Sequence, residues 1–344
     1  MQLRQMVCGV FSILLVGVSA CTDKDSMVDL NPKLEMVLYW GTPTAGTNQF
    51  NVGPPTLHDI YFPVWTAADQ FYVFTRHFNA GDITAGVFQI HVDPSTLDFA
   101  SSTTYEFDRV VSNMVQDRGD GSLLVNTSDG GYKVSRLGFA SGLTESLAVG
   151  PAWNPWGCSD WPGRRGVVFY GRHPETQVSG FYWIGAGSDT DSLLLAVEVS
   201  RIAARGLAVT SDGRKLLFAT DDNPLRFFSF DLTIAGASPV QFAERSGGVP
   251  AISPHPVLPS RMLLTYTYPG GATRPPQSHI ELFDLERMSS IDLDVRTEPS
   301  LNRFSTNDHP SWSPDGSAFL FSAGATSGEG EYIPFSIWLY RSPP

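Results

Sequence analysis

The feature that most constrains this chain is a short unit that returns along it: an apolar strand, a tight reversal, then a second apolar strand. Its fullest copy is His309-Pro310-Ser311-Trp312-Ser313-Pro314-Asp315-Gly316, followed at once by the apolar run of residues 317–322, SAFLFS. Pro314 presets φ for the reversal, and Gly316 tolerates the positive φ needed to leave it. Residues 206–213, GLAVTSDG, repeat the design, with Asp212-Gly213 turning the chain into RKLLFAT. Four weaker copies are VWTAADQ (64–70) before FYVFTR, PAWNPWG (151–157) before GVVFY, PAISPH (250–255) before RMLLTY, and residues 105–139 around SLLV. In these copies Asp69, Asn154 and Pro254 are expected in reversals that lack a complete Ser-Pro-Asp-Gly.

Strands, not helices, are expected throughout. The chain has 344 residues, 42% hydrophobic and 12% aromatic, so it can bury a large core and is far too apolar for disorder. Its 32 Gly and 25 Pro favour many turns. The best helical stretch, residues 192–205, has an LLLAVEV core that suits a strand equally well. One such unit cannot bury both its faces, so the units are expected to stack radially and close into a ring, each a four-stranded blade. Residues 35–41, EMVLYWG, alternate well enough to complete the sheet containing residues 333–340, IPFSIWLY, and so latch the ring. Trp65, Trp153 and Trp312 are expected to pack between blades.

The two best units, above all Trp312-Ser313-Pro314-Asp315-Gly316 with Asp212-Gly213 at the equivalent place, resemble the WD40-like β-propeller repeat of TolB-type proteins. The resemblance implies an all-β, TolB-like propeller formed by residues 35–344 as a single domain, and the spacing of the six unit starts gives six blades, give or take one.

The N-terminus reads as an export signal. Arg4 precedes a twelve-residue apolar stretch, residues 7–18, which suits a signal-peptide core and is short for a membrane span. Val18-Ser19-Ala20-Cys21 then resembles the lipobox of bacterial lipoproteins. That resemblance implies cleavage after residue 20, lipidation of Cys21, a polar tether over residues 21–34, and an outer-membrane anchor facing the periplasm or the cell surface. Of the three cysteines, Cys8 leaves with the signal and only Cys158 remains as a thiol, expected as a small buried residue.

The charge and motif inventory excludes several functions. A net charge of -12 argues against a nucleic-acid partner. There is no GxSxG nucleophile elbow, HExxH, P-loop or GxGxxG. Arg118-Gly119-Asp120 is an RGD triplet, and Asp189-Thr190-Asp191 and Asp221-Asp222-Asn223-Pro224 are acidic turns without a complete calcium-loop pattern. Histidine alone is suggestive. His173, His255 and His309 each precede proline, and His255 and His309 fall where blades begin, near the axis. Two imidazoles there could share a divalent metal. Oligogalacturonate lyases have similar propellers and histidine-held metal, which makes a metal-assisted lyase or hydrolase the alternative. The leading expectation is a cofactor-free module that binds an envelope protein or glycan, with these histidines as structural residues.

Overall fold

The computed structural model describes residues 34–38, 58–78, 83–94, 99–107, 109–128, 130–188, 191–197, 202–268, 277–293, 304–326 and 332–341. The described strands form six four-stranded antiparallel sheets. Sheet 1 contains β2 (His58–Ala67), β3 (Gln70–Phe78), β4 (Ile83–Val92) and β5 (Phe99–Glu106). Sheet 2 contains β6 (Val111–Gln116), β7 (Leu123–Thr127), β8 (Lys133–Gly138) and β9 (Thr144–Val149). Sheet 3 runs β10 (Trp156–Trp161), β11 (Arg164–Arg172), β12 (Ser179–Gly185) and β13 (Asp191–Ala196). Sheet 4 runs β14 (Ile202–Val209), β15 (Lys215–Thr220), β16 (Leu225–Asp231) and β17 (Val240–Arg245). Sheet 5 runs β18 (Gly248–Pro254), β19 (Arg261–Tyr268), β20 (Gln277–Asp284) and β21 (Ser289–Asp292). The sixth joins the two ends of the described chain: β1 (Leu34–Leu38) pairs outside β24 (Tyr332–Arg341), which follows β22 (Phe304–Trp312) and β23 (Ala318–Thr326).

This is a six-bladed β-propeller. The first strands of the blades, β2, β6, β10, β14, β18 and β22, approach one another around the axis. The approach is closest where β10 meets β14. Gly157 has φ +79, and a Cβ on it would overlap the backbone carbonyl of Ala204. Only glycine allows that contact. The latch expected from the sequence is present: Leu34 pairs with Tyr340, Glu35 with Leu339 and Met36 with Trp338.

The core is six clusters, one for each junction between neighbouring blades. Blades 1 and 2 meet through Val64, Phe74, Val125 and Leu137, and blades 2 and 3 through Leu124, Val134, Val167 and Phe169. Trp161, Phe181, Leu216 and Phe218 join blades 3 and 4, and Phe227, Phe242, Met262 and Phe283 join blades 4 and 5. Leu263, Ile280, Trp312 and Phe319 join blades 5 and 6. The ring closes where Phe71, Val73 and Ile90 of blade 1 pack on Leu320, Ile337 and Leu339 of blade 6. Each blade thus supplies apolar side chains to both its faces, as strands buried on two sides must.

The reversals repeat one hydrogen-bond network. In blade 6 the Ser313 hydroxyl donates to Asp315 Oδ1 at 2.6 Å, which accepts the Ser317 N–H at 3.0 Å. In blade 4 Thr210 donates to Asp212 Oδ1 at 2.6 Å, and that oxygen accepts the Arg214 N–H at 3.1 Å. Gly316 and Gly213 follow with φ +75 and +70. Blade 2 uses the same chemistry at Asp120-Gly121-Ser122, where Asp120 accepts the Ser122 N–H at 3.0 Å and Gly121 has φ +75. The RGD triplet is therefore the front half of a blade reversal.

Residues 191–196 and 202–209 are strands, the option that the LLLAVEV run suited as well as a helix. One local reading differs from expectation. The PAWNPWG stretch does not reverse blade 3. Pro151–Trp153 is a short 3-10 turn connecting blades 2 and 3, and Asn154 ends it in the left-handed region. The reversal of blade 3 lies later, between Trp161 and Arg164. Proline at the first turn position and an Asn able to adopt positive φ favour the earlier turn locally, and this masked the Pro162-Gly163 reversal.

Candidate functional site

The C-terminal ends of the six inner strands surround an open cavity of about 430 Å³ on the propeller axis. Every blade contributes to it, through Thr66, Gln116, Asp160, Val209, Pro254 and Trp312 among others. Proline is frequent in the wall, at residues 63, 254, 256, 310 and 314. Proline carries no N–H, so these positions leave no backbone donor that must be satisfied inside the cavity.

Hydrogen bonds tie the wall together between blades. The Trp65 backbone N–H donates to Ser311 Oγ at 2.9 Å, and Gln116 Nε2 donates to the Thr66 carbonyl at 3.3 Å. Asn113 Nδ2 donates to the Cys158 carbonyl at 3.1 Å. Trp312 Nε1 donates to the Ser253 carbonyl and Trp161 Nε1 to the Gly213 carbonyl, both at 3.0 Å. The aromatic at the end of an inner strand thereby docks on the neighbouring blade while its ring fills the junction.

Three ionic or ionisable groups define the electrostatics. Arg118 grips Asp160 in a two-point pair, Nε to Oδ2 at 2.6 Å and a terminal nitrogen to Oδ1 at 2.8 Å. Bidentate geometry of this kind fixes both side chains. Arg205 comes from β14 and crosses the axis. Its guanidinium carbon lies 5.2 Å from the Phe62 ring of blade 1, and its Nε donates to the Ser112 carbonyl of blade 2 at 3.4 Å. His309 sits in a break of register in β22, with φ +53, opposite a similar break at Phe62, with φ +51. These bulges turn the two rings into edge contact at 4.0 Å between centroids. Burial holds the His309 imidazole well below its ordinary pKa, and the nearby Arg205 charge pushes the same way.

The histidines singled out in the sequence have separate surroundings. His255 stands in the blade 5 reversal, where its Nδ1 accepts the N–H groups of Val257 at 3.1 Å and Leu258 at 3.0 Å. Its ring packs on Trp312 at 4.6 Å and under Gly316. Burial lowers its pKa. His173 does the same local work in blade 3: Nδ1 accepts from Glu175 and Thr176, each at 3.1 Å. Both are His-Pro turns capped by the imidazole, in the manner of an Asx turn. Among the described residues no group of three or more His, Cys, Asp or Glu side chains is arranged to hold a metal ion. Cys158 is fully buried and its thiol is pushed up to about 12 by burial, so it stays protonated at neutral pH. Cys21 lies outside the described residues.

Sequence reasoning missed the Arg118–Asp160 pair and Arg205. Arg118 was visible only within the RGD triplet, and nothing local couples residue 118 to 160 or residue 205 to 62. The place of Arg205 in an inner strand was the available clue, since a charge there must face the axis.

No family model matches the chain, and no curated protein matches it. Solved structures do. A TolB candidate from Agrobacterium tumefaciens superposes with a TM-score of 0.50 at 14% identity, over 85% of this chain and 92% of the other. A GH74 enzyme from Niastella koreensis also gives 0.50, at 11% identity, over 81% of this chain and 46% of that one. At such identities the likeness is one of fold. What the two structures share with this chain is the β-propeller architecture.

Proposed function

We propose that the protein is a lipid-anchored module of the cell envelope that binds a protein segment or glycan at the axial mouth. The single observation that carries this is the cavity itself, walled by all six blades and floored by Arg205. Its wall is pre-organised by interblade hydrogen bonds, which lowers the ordering cost of binding. Its ionisable groups suit recognition more than turnover: Asp160 is committed to Arg118, and burial keeps His309 neutral. The metal-assisted lyase reading is weaker because Nδ1 of His255 already accepts two backbone N–H groups and His309 packs edge-on against Phe62. The anchor rests on residues 18–21 of the sequence, and the glycan or protein class of partner on the mixed polar and apolar wall.

A photo-crosslinking residue tests the site. Placed at Pro314 on the rim, it should form adducts with an envelope component in intact cells. Placed at Ile291, exposed on the outer strand β21, it should not. Adducts from position 291 and none from 314 would overturn the assignment.

A further inference from the structure

A second cavity, of about 440 Å³, opens between blades 3 and 4 at the other end of the inner strands. Its position follows from topology. Trp156 and Ile202 begin β10 and β14, Arg172 ends β11, Ser179 begins β12, and Asp221 follows β15. All five sit at the end opposite the axial mouth, whose wall comes from the C-terminal ends of the inner strands.

We propose that this cavity is a saccharide-binding site for a neutral pyranose unit. A pyranose presents apolar C–H faces and a girdle of hydroxyls. It needs aromatic surface for the first and planar, paired hydrogen-bonding groups for the second. The cavity supplies both. Trp156 and Tyr170 line it, each half-buried and each braced from behind: Tyr132 meets Trp156 edge-on at 4.4 Å, and Phe181 meets Tyr170 at 5.3 Å. Asn154, Arg172 and Asp221 bring an amide, a guanidinium and a carboxylate to the same lining, all exposed. The local sequence builds this arrangement. Pro151 starts the 3-10 turn, and Asn154 closes it at φ +45 with its N–H on the Pro151 carbonyl at 2.9 Å. Arg172 is oriented by donation from Nε to the Gln177 carbonyl at 3.1 Å. Ser179 adds a hydroxyl to the wall. A lining that carries both a carboxylate and a guanidinium offers a strongly anionic sugar no net positive charge, and it suits vicinal hydroxyls, which can donate to the carboxylate and accept from the guanidinium. The site is distinct from the axial mouth and does not depend on the function proposed for it.

The test is a calorimetric titration of the purified protein with maltohexaose, cellohexaose, xylohexaose and chitohexaose, with oligogalacturonate as the anionic contrast. At least one neutral oligomer should bind, and Asp221→Ala and Asn154→Ala should each weaken it about tenfold or more. Trp156→Ala should abolish binding. Because Trp156 also packs on Tyr132, circular dichroism must show that this variant folds, and the two exposed polar variants carry the conclusion if it does not. Ile291→Ser, exposed on the outer strand β21 and in the lining of neither cavity, should leave the titration unchanged. No binding to any neutral oligomer, binding insensitive to Asp221→Ala and Asn154→Ala, or preference for the anionic oligomer would overturn the proposal.

Discussion

Three blade reversals offer the same glycine to different surroundings, and this makes a graded test of the packing. Gly121, Gly213 and Gly316 have φ of +75, +70 and +75. Alanine at each pays the left-handed strain, about 1–2 kcal/mol, less about 0.4–1 kcal/mol from the stiffer unfolded chain. At Gly121 a Cβ meets nothing within 4 Å, so the net cost should be about 1 kcal/mol. At Gly213 it would lie 3.0 Å from the Pro162 carbonyl and 3.1 Å from Trp161 Nε1, a tight contact that adds a smaller overpacking cost than the overlap at Gly316. At Gly316 it would overlap the ring of His255, which is held by two backbone N–H groups and by Trp312. Overpacking a fixed neighbour adds about 1–3 kcal/mol, for a total of about 2–4 kcal/mol. Urea midpoints with matched slopes read the series directly. The double variant Gly316→Ala with His255→Ala should recover part of the loss, since removing the ring removes the overlap. Equal costs at the three glycines, or no coupling between residues 316 and 255, would refute the interblade contact.

Other outcomes follow from the same geometry. Trp312→Ala should cost about 3–5 kcal/mol, as for a large core aromatic, and a shift in urea midpoint worth under about 0.5 kcal/mol would place the ring on the surface. The folded-state pKa of His309 lies well below the unfolded value of about 6.5, so below that pH the unfolded chain binds one more proton than the folded one. Stability should therefore fall as pH drops from 6.5, by up to about 1.4 kcal/mol per unit from this residue, and His309→Asn should flatten that slope in pH-resolved denaturation. Cys21→Ser should release the protein from the membrane fraction. Retention of the serine variant through a carbonate wash would contradict the lipid anchor.

What was legible in the sequence was local. Asp212-Gly213 and Asp315-Gly316 could be read because a reversal is made by four or five adjacent residues with fixed dihedral demands. The latch of β1 on β24 was legible too, since alternation at one end left a strand without a partner and a ring needs closure. The blade 2 reversal at Asp120-Gly121 was obscured by its RGD context, and that of blade 3 by a proline-rich turn that serves as a connection. The site was less accessible. Arg118 and Asp160, or Arg205 and Phe62, meet only because inner strands from different blades converge on the axis, and no periodicity encodes which residues face each other there. The histidines were visible but their work was not. A His-Pro dipeptide reads the same whether its imidazole faces a metal or, as in His173 and His255, accepts the next two backbone N–H groups.

The central claim is that the axial mouth is a binding surface and not a metal centre. Elemental analysis of protein purified without a histidine tag, alongside the His255→Gln, His309→Gln double variant, tests it most directly. No stoichiometric divalent metal is expected in either protein. About one equivalent of Mn, Fe, Ni or Zn in the native protein, lost in the double variant, would contradict it and establish the metal-assisted reading instead.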